Sequence, residues 1–190
     1  MEERRVTISR ARFSVDYPAS FMLVASMNPC PCGFHNHPEK DCVCPPGVVQ
    51  KYLNKISGPL LDRIYIHIEV PPVNFDELSD ERRSEMSTEV RKRVMEAREI
   101  QVKRYERSVD IHCNSEMSKQ MIRQYFSITE DGQALLKTAM EKLGLSARAY
   151  DRILKVSRTI ADLDNSPTID TPHLAEAIQY RSLDRTDWAS

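Results

Sequence analysis

The sequence predicts an α+β, mainly α chain, with the end of an α/β domain at residues 1–72 and a helical bundle at residues 87–185. Two observations predict this division. Short β-type and apolar runs dominate the first part, whereas apolar residues recur at helical spacing in the second. A stretch of mixed charge, residues 73–86, lies between them and is predicted to be a mobile linker.

The first part contains five predicted elements. "VTISRARFSV" holds two short β-type runs around a polar centre, and "FMLVAS" is an apolar run of the kind that a buried parallel strand shows. "VVQKYLNKIS" has apolar residues on one helical face and predicts a short helix. "RIYIHIEV" alternates between two faces and predicts a strand that ends at the two prolines after it.

The second part shows start and stop signals of helices. Ser87 and Ser146 are predicted N-caps, Gly144 is a predicted left-handed C-terminal stop, and Pro172 suits the first turn of a last helix. The apolar stripe of the Ser146-capped helix indicates a face buried against other helices. The predicted helices cover residues 87–107, 116–126, 129–143, 147–163 and 171–183.

Composition excludes several classes of protein. With 190 residues, 41% hydrophobic and 29% charged, the chain is long and apolar enough to build a core, which argues against disorder. The formal net charge of −1 means that any nucleic-acid affinity must come from a local patch. The longest apolar run, residues 21–25, is too short to span a membrane, and residues 1–12 have no signal-peptide pattern. A cytoplasmic location without membrane contact is expected.

Four of the five cysteines lie in one loop, "NPCPCGFHNHPEKDCVCPPG". Two C-x-C pairs separated by nine residues suit tetrahedral Zn²⁺, which would leave no open position for water, so the predicted role is structural. The metal ligands are predicted to be Cys30, Cys32, Cys42 and Cys44.

Other interpretations of the cysteines stay open at this point. Either His35 or His37 could replace one cysteine as ligand, and the four thiols could instead be unliganded or form two disulfides. Metal binding is favoured because paired cysteines in a reducing compartment bind metal more often than they bridge. Cys113 stands alone and is predicted to be a small buried hydrophobe.

Two polar residues flank this loop at predicted element ends. Asn28 follows the apolar run "FMLVAS", where a parallel strand would deliver a residue to the crevice beyond the sheet, although it could equally be a turn residue before Pro29. Arg63 lies at the entry to the next predicted strand. It could pair with Asp62 or Glu69, or point to a phosphate of a neighbouring molecule.

Three long blocks then carry a resemblance: "YPASFMLVASMNPCPCGF", "KISGPLLDRIYIHIEVP" and "LSARAYDRILKVSRTIADL". In this order they resemble the magnesium-chelatase-like AAA+ ATPases, most closely the ComM type associated with DNA uptake and recombination. The resemblance runs from about Val6 to Arg185. It implies the last strands of an AAA+ nucleotide domain followed by the helical lid.

The resemblance also implies roles for three residues. Asn28 matches sensor 1, which orients the water that attacks the γ-phosphate. Arg63 matches the arginine finger, supplied in trans to the adjacent subunit of a ring. Arg148 matches sensor 2, which reaches the nucleotide phosphates, although by itself it could be a solvated cation. The resemblance further implies a homo-oligomeric ring, expected to be a hexamer, that acts on DNA.

The chain departs from the family pattern in two ways. It has no G-x-x-x-x-G-K-[ST] phosphate loop and no apolar strand ending in Asp-Glu, so this chain alone is expected not to hydrolyse ATP. ATP and Mg²⁺ are expected only in the complete ATPase. Tyr65 stands where the family usually has an acidic residue.

Two alternative functions remain open from the sequence. One is a non-enzymatic, zinc-stabilised interaction module, and the other is the motor subunit of a magnesium chelatase. The cysteine loop argues against the second, because it belongs with the ComM type.

Overall fold

The computed structural model describes residues 4–73 and 85–181. In these ranges the chain is mainly helical, with a small two-stranded sheet. None of the described helices is both long and apolar enough to cross a membrane. A 3₁₀ turn, Asn114–Glu116, lies between the third and fourth helices. The regular elements are β1 (Arg5–Arg10), β2 (Phe13–Pro18), α1 (Val48–Leu53), α2 (Gly58–Arg63), α3 (Ser87–Arg104), α4 (Lys119–Tyr125), α5 (Glu130–Leu143), α6 (Ala147–Leu163) and α7 (Thr171–Gln179).

The two β-type runs at the start form the antiparallel hairpin β1–β2. Its register pairs Arg10 with Phe13, so Ala11 and Arg12 form the turn. Val6 pairs with Tyr17 on an apolar face, while the opposite face is polar. Both strands are exposed along their whole length.

The strand predicted at "FMLVAS" is wrong. Residues 21–26 belong to no strand, and the side chains of Met22 and Val24 are 88% and 82% exposed. The paired strands of the described ranges are β1 and β2, so this segment has no ladder partner. An apolar run becomes a strand only where a neighbour accepts its backbone hydrogen bonds.

The strand predicted at "RIYIHIEV" is wrong for the same reason. Arg63 is the last residue of α2, and residues 64–70 form no strand. The segment instead packs on the helices through the face opposite to its isoleucines, where the His67 side chain is buried. The backbone N–H of His67 donates to the Tyr180 carbonyl at 2.8 Å. Ile66 and Ile68 stay exposed.

The helical bundle is centred on α6, which packs against α2, α3, α4 and α7. Its predicted apolar face is buried, except that Tyr150 is exposed. Ser146 caps α6 as predicted, because its Oγ accepts from the Ala149 N–H at 3.1 Å. Gly144 ends α5 at φ +60°, the left-handed geometry that favours glycine.

Some predicted helix boundaries shift. Ser87 is the first residue of α3 and not its cap, because Met86 holds the N-cap position. The helix predicted from Glu116 is divided into the 3₁₀ turn and α4, which Ser118 caps. Residues 74–84 of the predicted linker and the predicted helix end after residue 181 lie outside the described residues.

A buried charged network inside the bundle was not predicted. The Asp162 carboxylate, whose side chain is 0% exposed, accepts hydrogen bonds from Arg104, Arg158 and Asn114. The Asn114 Oδ1 atom in turn accepts from the Tyr105 hydroxyl at 2.8 Å. The network joins α3, the 3₁₀ turn and α6 through one carboxylate.

Candidate metal centre and neighbouring arginines

The cysteine loop brings four sulfurs together between β2 and α1. The Sγ atom of Cys30 lies 3.3 Å from that of Cys32 and 3.7 Å from that of Cys42, and the Cys32 and Cys42 sulfurs are 3.5 Å apart. All four sulfurs, including Cys44, lie within 4.8 Å of one another. Cys30 is buried, and the other three are half-buried.

These sulfur–sulfur distances are close to those of a tetrahedral metal site. With metal–sulfur bonds of ~2.3 Å, the sulfurs of a tetrahedron lie about 3.8 Å apart. A disulfide would bring two sulfurs to ~2.05 Å, and all five cysteines of the chain are free. The donor set is therefore suited to one thiophilic divalent ion, and the disulfide interpretation does not describe this loop.

Turns in the loop backbone bring the first cysteine pair into place. Gly33 has φ +83°, a conformation that other residues adopt only with strain, and its N–H donates to the Cys30 carbonyl at 3.0 Å. Gly47, at φ +78°, directly precedes α1. The loop therefore ends where a helix begins.

The crowded thiols do not share one protonation state. A hydrogen bond from the Phe34 backbone favours the Cys32 thiolate and lowers its pKa to about 6. At Cys44 a hydrogen bond from the Cys32 backbone also favours the thiolate, but burial and the neighbouring sulfurs outweigh it and raise the pKa to about 12. Four thiolates at these distances repel one another, so a cation is needed to hold all four ionised.

The two histidines of the loop do not belong to the sulfur cluster. The His37 Nδ1 atom accepts from the backbone N–H groups of Glu39 and Lys40, at 3.0 and 3.1 Å, and so caps a turn of the loop. Among the described residues, the group that could hold a metal consists of the four cysteines and includes neither His37 nor His35.

The predicted phosphate-contacting residues lie on three different segments. Asn28 is exposed, two residues before Cys30. Arg63 is half-buried at the end of α2, where its Nη1 atom donates to the Pro59 carbonyl at 2.8 Å. Arg148 is exposed in the first turn of α6. No hydrogen bond or ion pair that the described part of the chain shows joins these three residues to one another.

The residue beside Arg63 has partners that sequence reasoning missed. The Asp62 carboxylate accepts from the Ser146 hydroxyl at 2.8 Å and lies 4.0 Å from the guanidinium groups of Arg152 and Arg181. The Asp62 backbone carbonyl also accepts from Arg152. These partners lie 84 or more residues away along the chain, so no local pattern signals the contact.

Cys113 differs from its prediction as a buried hydrophobe. It is half-buried, and its sulfur lies 3.0 Å from the Ser115 hydroxyl.

Comparison with known proteins gives two consecutive matches along the chain. Residues 1–78 match the family described as "Magnesium chelatase, subunit ChlI", and residues 84–181 match "Magnesium chelatase, subunit ChlI C-terminal".

Individual relatives match nearly the whole chain. "Competence protein ComM" of Haemophilus influenzae is 41% identical over 186 residues, which is 97% of this chain and 35% of the relative. "Uncharacterized protein YifB" of Escherichia coli is 40% identical over 188 residues, with the same two shares. "Uncharacterized protein Rv2897c" of Mycobacterium tuberculosis is 34% identical over 183 residues, or 95% of this chain. The chain thus spans about 35% of the length of these relatives.

Proposed function

The chain belongs to the magnesium chelatase ChlI family, and we propose that it is the C-terminal portion of a ring-forming AAA+ ATPase of the ComM type. The observation that carries this proposal is the continuous similarity to a ComM protein, at 41% identity over 97% of the chain. In this proposal residues 1–72 complete a nucleotide domain, residues 73–86 are a linker and residues 87–185 form the lid.

Three residues of this chain act on nucleotide in the proposed ring. Asn28 is sensor 1 and orients the attacking water on its own subunit's nucleotide. Arg63 is the arginine finger for the neighbouring subunit, because a planar guanidinium can stabilise charge that develops on the transferred phosphoryl group. Arg148 is sensor 2, and its exposed place in the first turn of α6 leaves its charge available to a phosphate.

ATP hydrolysis is assigned to the complete ATPase and not to this chain by itself. The 190 residues contain no phosphate-binding loop and no Mg²⁺-holding carboxylate pair after an apolar strand. Those groups supply most of the electrostatic stabilisation in phosphoryl transfer. ATP and Mg²⁺ are therefore cofactors of the complete ATPase only.

The four-cysteine cluster is proposed to hold one structural Zn²⁺. Its sulfur separations support a closed tetrahedral site, and thiolates are ligands that Zn²⁺ binds well. Cys30 lies two residues after Asn28, so a metal at this cluster would restrict the backbone that carries the proposed sensor 1. A structural metal of this kind contributes on the order of 10 kcal/mol to folding.

DNA is the proposed substrate of the assembled ring. Arg10 precedes the hairpin turn and Arg12 lies in it, and both are exposed, so their charges are accessible to a phosphate backbone. Arg5, by comparison, lies 3.8 Å from the Asp16 carboxylate. The turn is therefore the favoured DNA contact within this part of the ring.

The test is ATP hydrolysis by the complete protein encoded by the reading frame that contains this chain. Arg63→Ala is expected to lower kcat by roughly 10³-fold or more while ATP still binds, because the finger acts on the transition state. The matched control is Arg123→Ala, which removes a helical arginine from α4. A complete protein without ATPase activity, or an Arg63→Ala variant with normal kcat, would overturn the proposal.

A further inference from the structure

The carboxylate of Asp62 is the meeting point of three elements. It sits on α2, beside Arg63, and receives the Ser146 hydroxyl from the N-terminus of α6 at 2.8 Å. The same oxygen, Oδ1, lies 4.0 Å from the guanidinium groups of Arg152 of α6 and Arg181, which follows α7. The Asp62 side chain is 21% exposed and those of Arg152 and Arg181 are 7% and 1% exposed, so these charges meet largely out of water.

Further contacts hold the same segment on the bundle. Arg152 and Arg181 donate to the backbone carbonyls of Asp62 and Ile64, which lie on either side of Arg63. The Arg152 guanidinium lies over the Tyr65 ring, 5.4 Å from its centroid. The backbone on both sides of Arg63 is thus attached to α6 and to the end of α7.

The attachment reaches the start of the helix that carries Arg148. Ser146 is the N-cap of α6, and Arg148 follows it by two residues in the first turn. The Ser146 oxygen accepts from the Ala149 N–H while its hydroxyl proton is donated to Asp62. One side chain therefore fixes both the beginning of α6 and its contact with α2.

We propose that Asp62 and Ser146 form a clamp that positions Arg63 relative to Arg148, so that movement of the lid and placement of the arginine finger are coupled. This inference rests on the proposed function. Within the described residues, the Arg63 guanidinium donates to its own helix, at the Pro59 carbonyl, so the clamp acts on the Arg63 backbone and the guanidinium can exchange that bond for a phosphate. Asp62 and Ser146 are positioning residues, because they act through Arg63.

The test compares two substitutions of Ser146 in the complete protein. Ser146→Asp keeps an N-capping side chain but places a second carboxylate against Asp62, which opens the clamp without removing the cap. Ser146→Thr keeps both the cap and the hydroxyl donor. We expect Ser146→Asp to lower the kcat of ATP hydrolysis roughly 10- to 100-fold with the KM for ATP within about twofold, and Ser146→Thr to retain activity.

A double-mutant cycle with Arg63 separates positioning from general destabilisation. If the clamp acts through the finger, adding Ser146→Asp to Arg63→Ala lowers kcat by less than about twofold further. If the kcat losses of Ser146→Asp and Arg63→Ala multiply in the double variant, the proposal is overturned. Ser118→Ala, which removes the cap of α4 only, is the matched structural control, and a loss equal to that of Ser146→Asp would also overturn it.

Three further outcomes are distinguishable. If Ser146→Asp does not fold, Ser146→Ala replaces it, and Ser118→Ala then gives the effect of losing a cap alone. If Arg63→Ala has normal kcat, the proposed function fails and the clamp with it. If Arg63→Ala is impaired but Ser146→Asp is fully active, the clamp fails while the proposed function stands.

Discussion

The sulfurs of Cys30 and Cys42, twelve residues apart in the chain, lie 3.7 Å from each other within a four-cysteine cluster. That separation is too long for a disulfide and close to the edge of a metal–sulfur tetrahedron. It is the basis of the first two predictions.

Removing one cysteine from each C-x-C pair tests the metal site. Purified protein is expected to contain one zinc per chain, and the Cys30→Ser, Cys42→Ser double variant is expected to lose it and to melt at a lower temperature. Elemental mass spectrometry and thermal denaturation are the measurements. Cys113→Ser is the matched control, because its sulfur lies outside the cluster. A wild-type protein without bound metal would disprove the zinc assignment.

Metal binding is expected to release protons. The metal binds thiolates, so a thiol whose pKa lies above the working pH loses its proton on binding, whereas Cys32, with a pKa of about 6, is already mainly ionised at pH 7. The pKa of Cys44 is raised to about 12 and that of Cys42 is also raised.

We therefore expect at least two protons, those of Cys42 and Cys44, to be released per Zn²⁺ at pH 7, and an affinity that falls as the pH falls. Calorimetric titration of the metal-free protein with Zn²⁺, in buffers of different ionisation enthalpy, counts the released protons. Zinc binding that is independent of pH would show that other groups are the ligands.

The buried carboxylate of Asp162 is expected to be important for stability. Asp162→Ala leaves Arg104 and Arg158 without the carboxylate that they share and is expected to cost about 3–5 kcal/mol of unfolding free energy, because the remaining charges are largely buried. Urea denaturation measures the change. Asp164→Ala is the control: its side chain is 64% exposed and lies 3.2 Å from the His173 imidazole, outside the buried network. Equal losses for both variants would contradict the assigned role of the network.

The hairpin turn is expected to contribute to DNA binding by the complete protein. Arg10→Ala together with Arg12→Ala should weaken binding and reduce the salt dependence of the affinity by about two phosphate contacts. Fluorescence anisotropy over a series of salt concentrations measures both quantities. Arg91→Ala with Arg93→Ala, on α3, is a charge-matched control. If the salt dependence of the affinity is unchanged in the turn variant, the hairpin is not part of the DNA interface.

The sequence predicted the elements whose signals are local. The two strands of the hairpin were predicted as short β-type runs, and the end of α5 and the start of α6 were predicted from Gly144 and Ser146, whose capping roles depend on neighbours within a few residues. The four-cysteine cluster was predicted as a set because the two C-x-C pairs carry their own spacing.

The features that the sequence did not predict depend on distant partners. Residues 21–26 and 64–70 have the composition of strands but no ladder neighbour in the described ranges, and a strand exists only in a pair. Arg158 and Asp162 have the i, i+4 spacing of an exposed ion pair, yet both side chains are buried. Their third partner, Arg104, lies 58 residues before Asp162 in the chain, so no local pattern signals it. The Asp62–Ser146 contact was not predicted for the same reason, because the two residues lie 84 positions apart in the chain.

The central claim is that this chain completes ATPase sites shared between neighbouring subunits, and mixing two inactive variants tests it most directly. Asn28→Ala disables a subunit's own site, whereas Arg63→Ala disables the site of its neighbour. Rings assembled from equal amounts of the two variants are expected to regain about a quarter of the wild-type rate, since that share of the interfaces combines an intact Asn28 with an intact Arg63. A mixture as inactive as either variant alone would contradict the account.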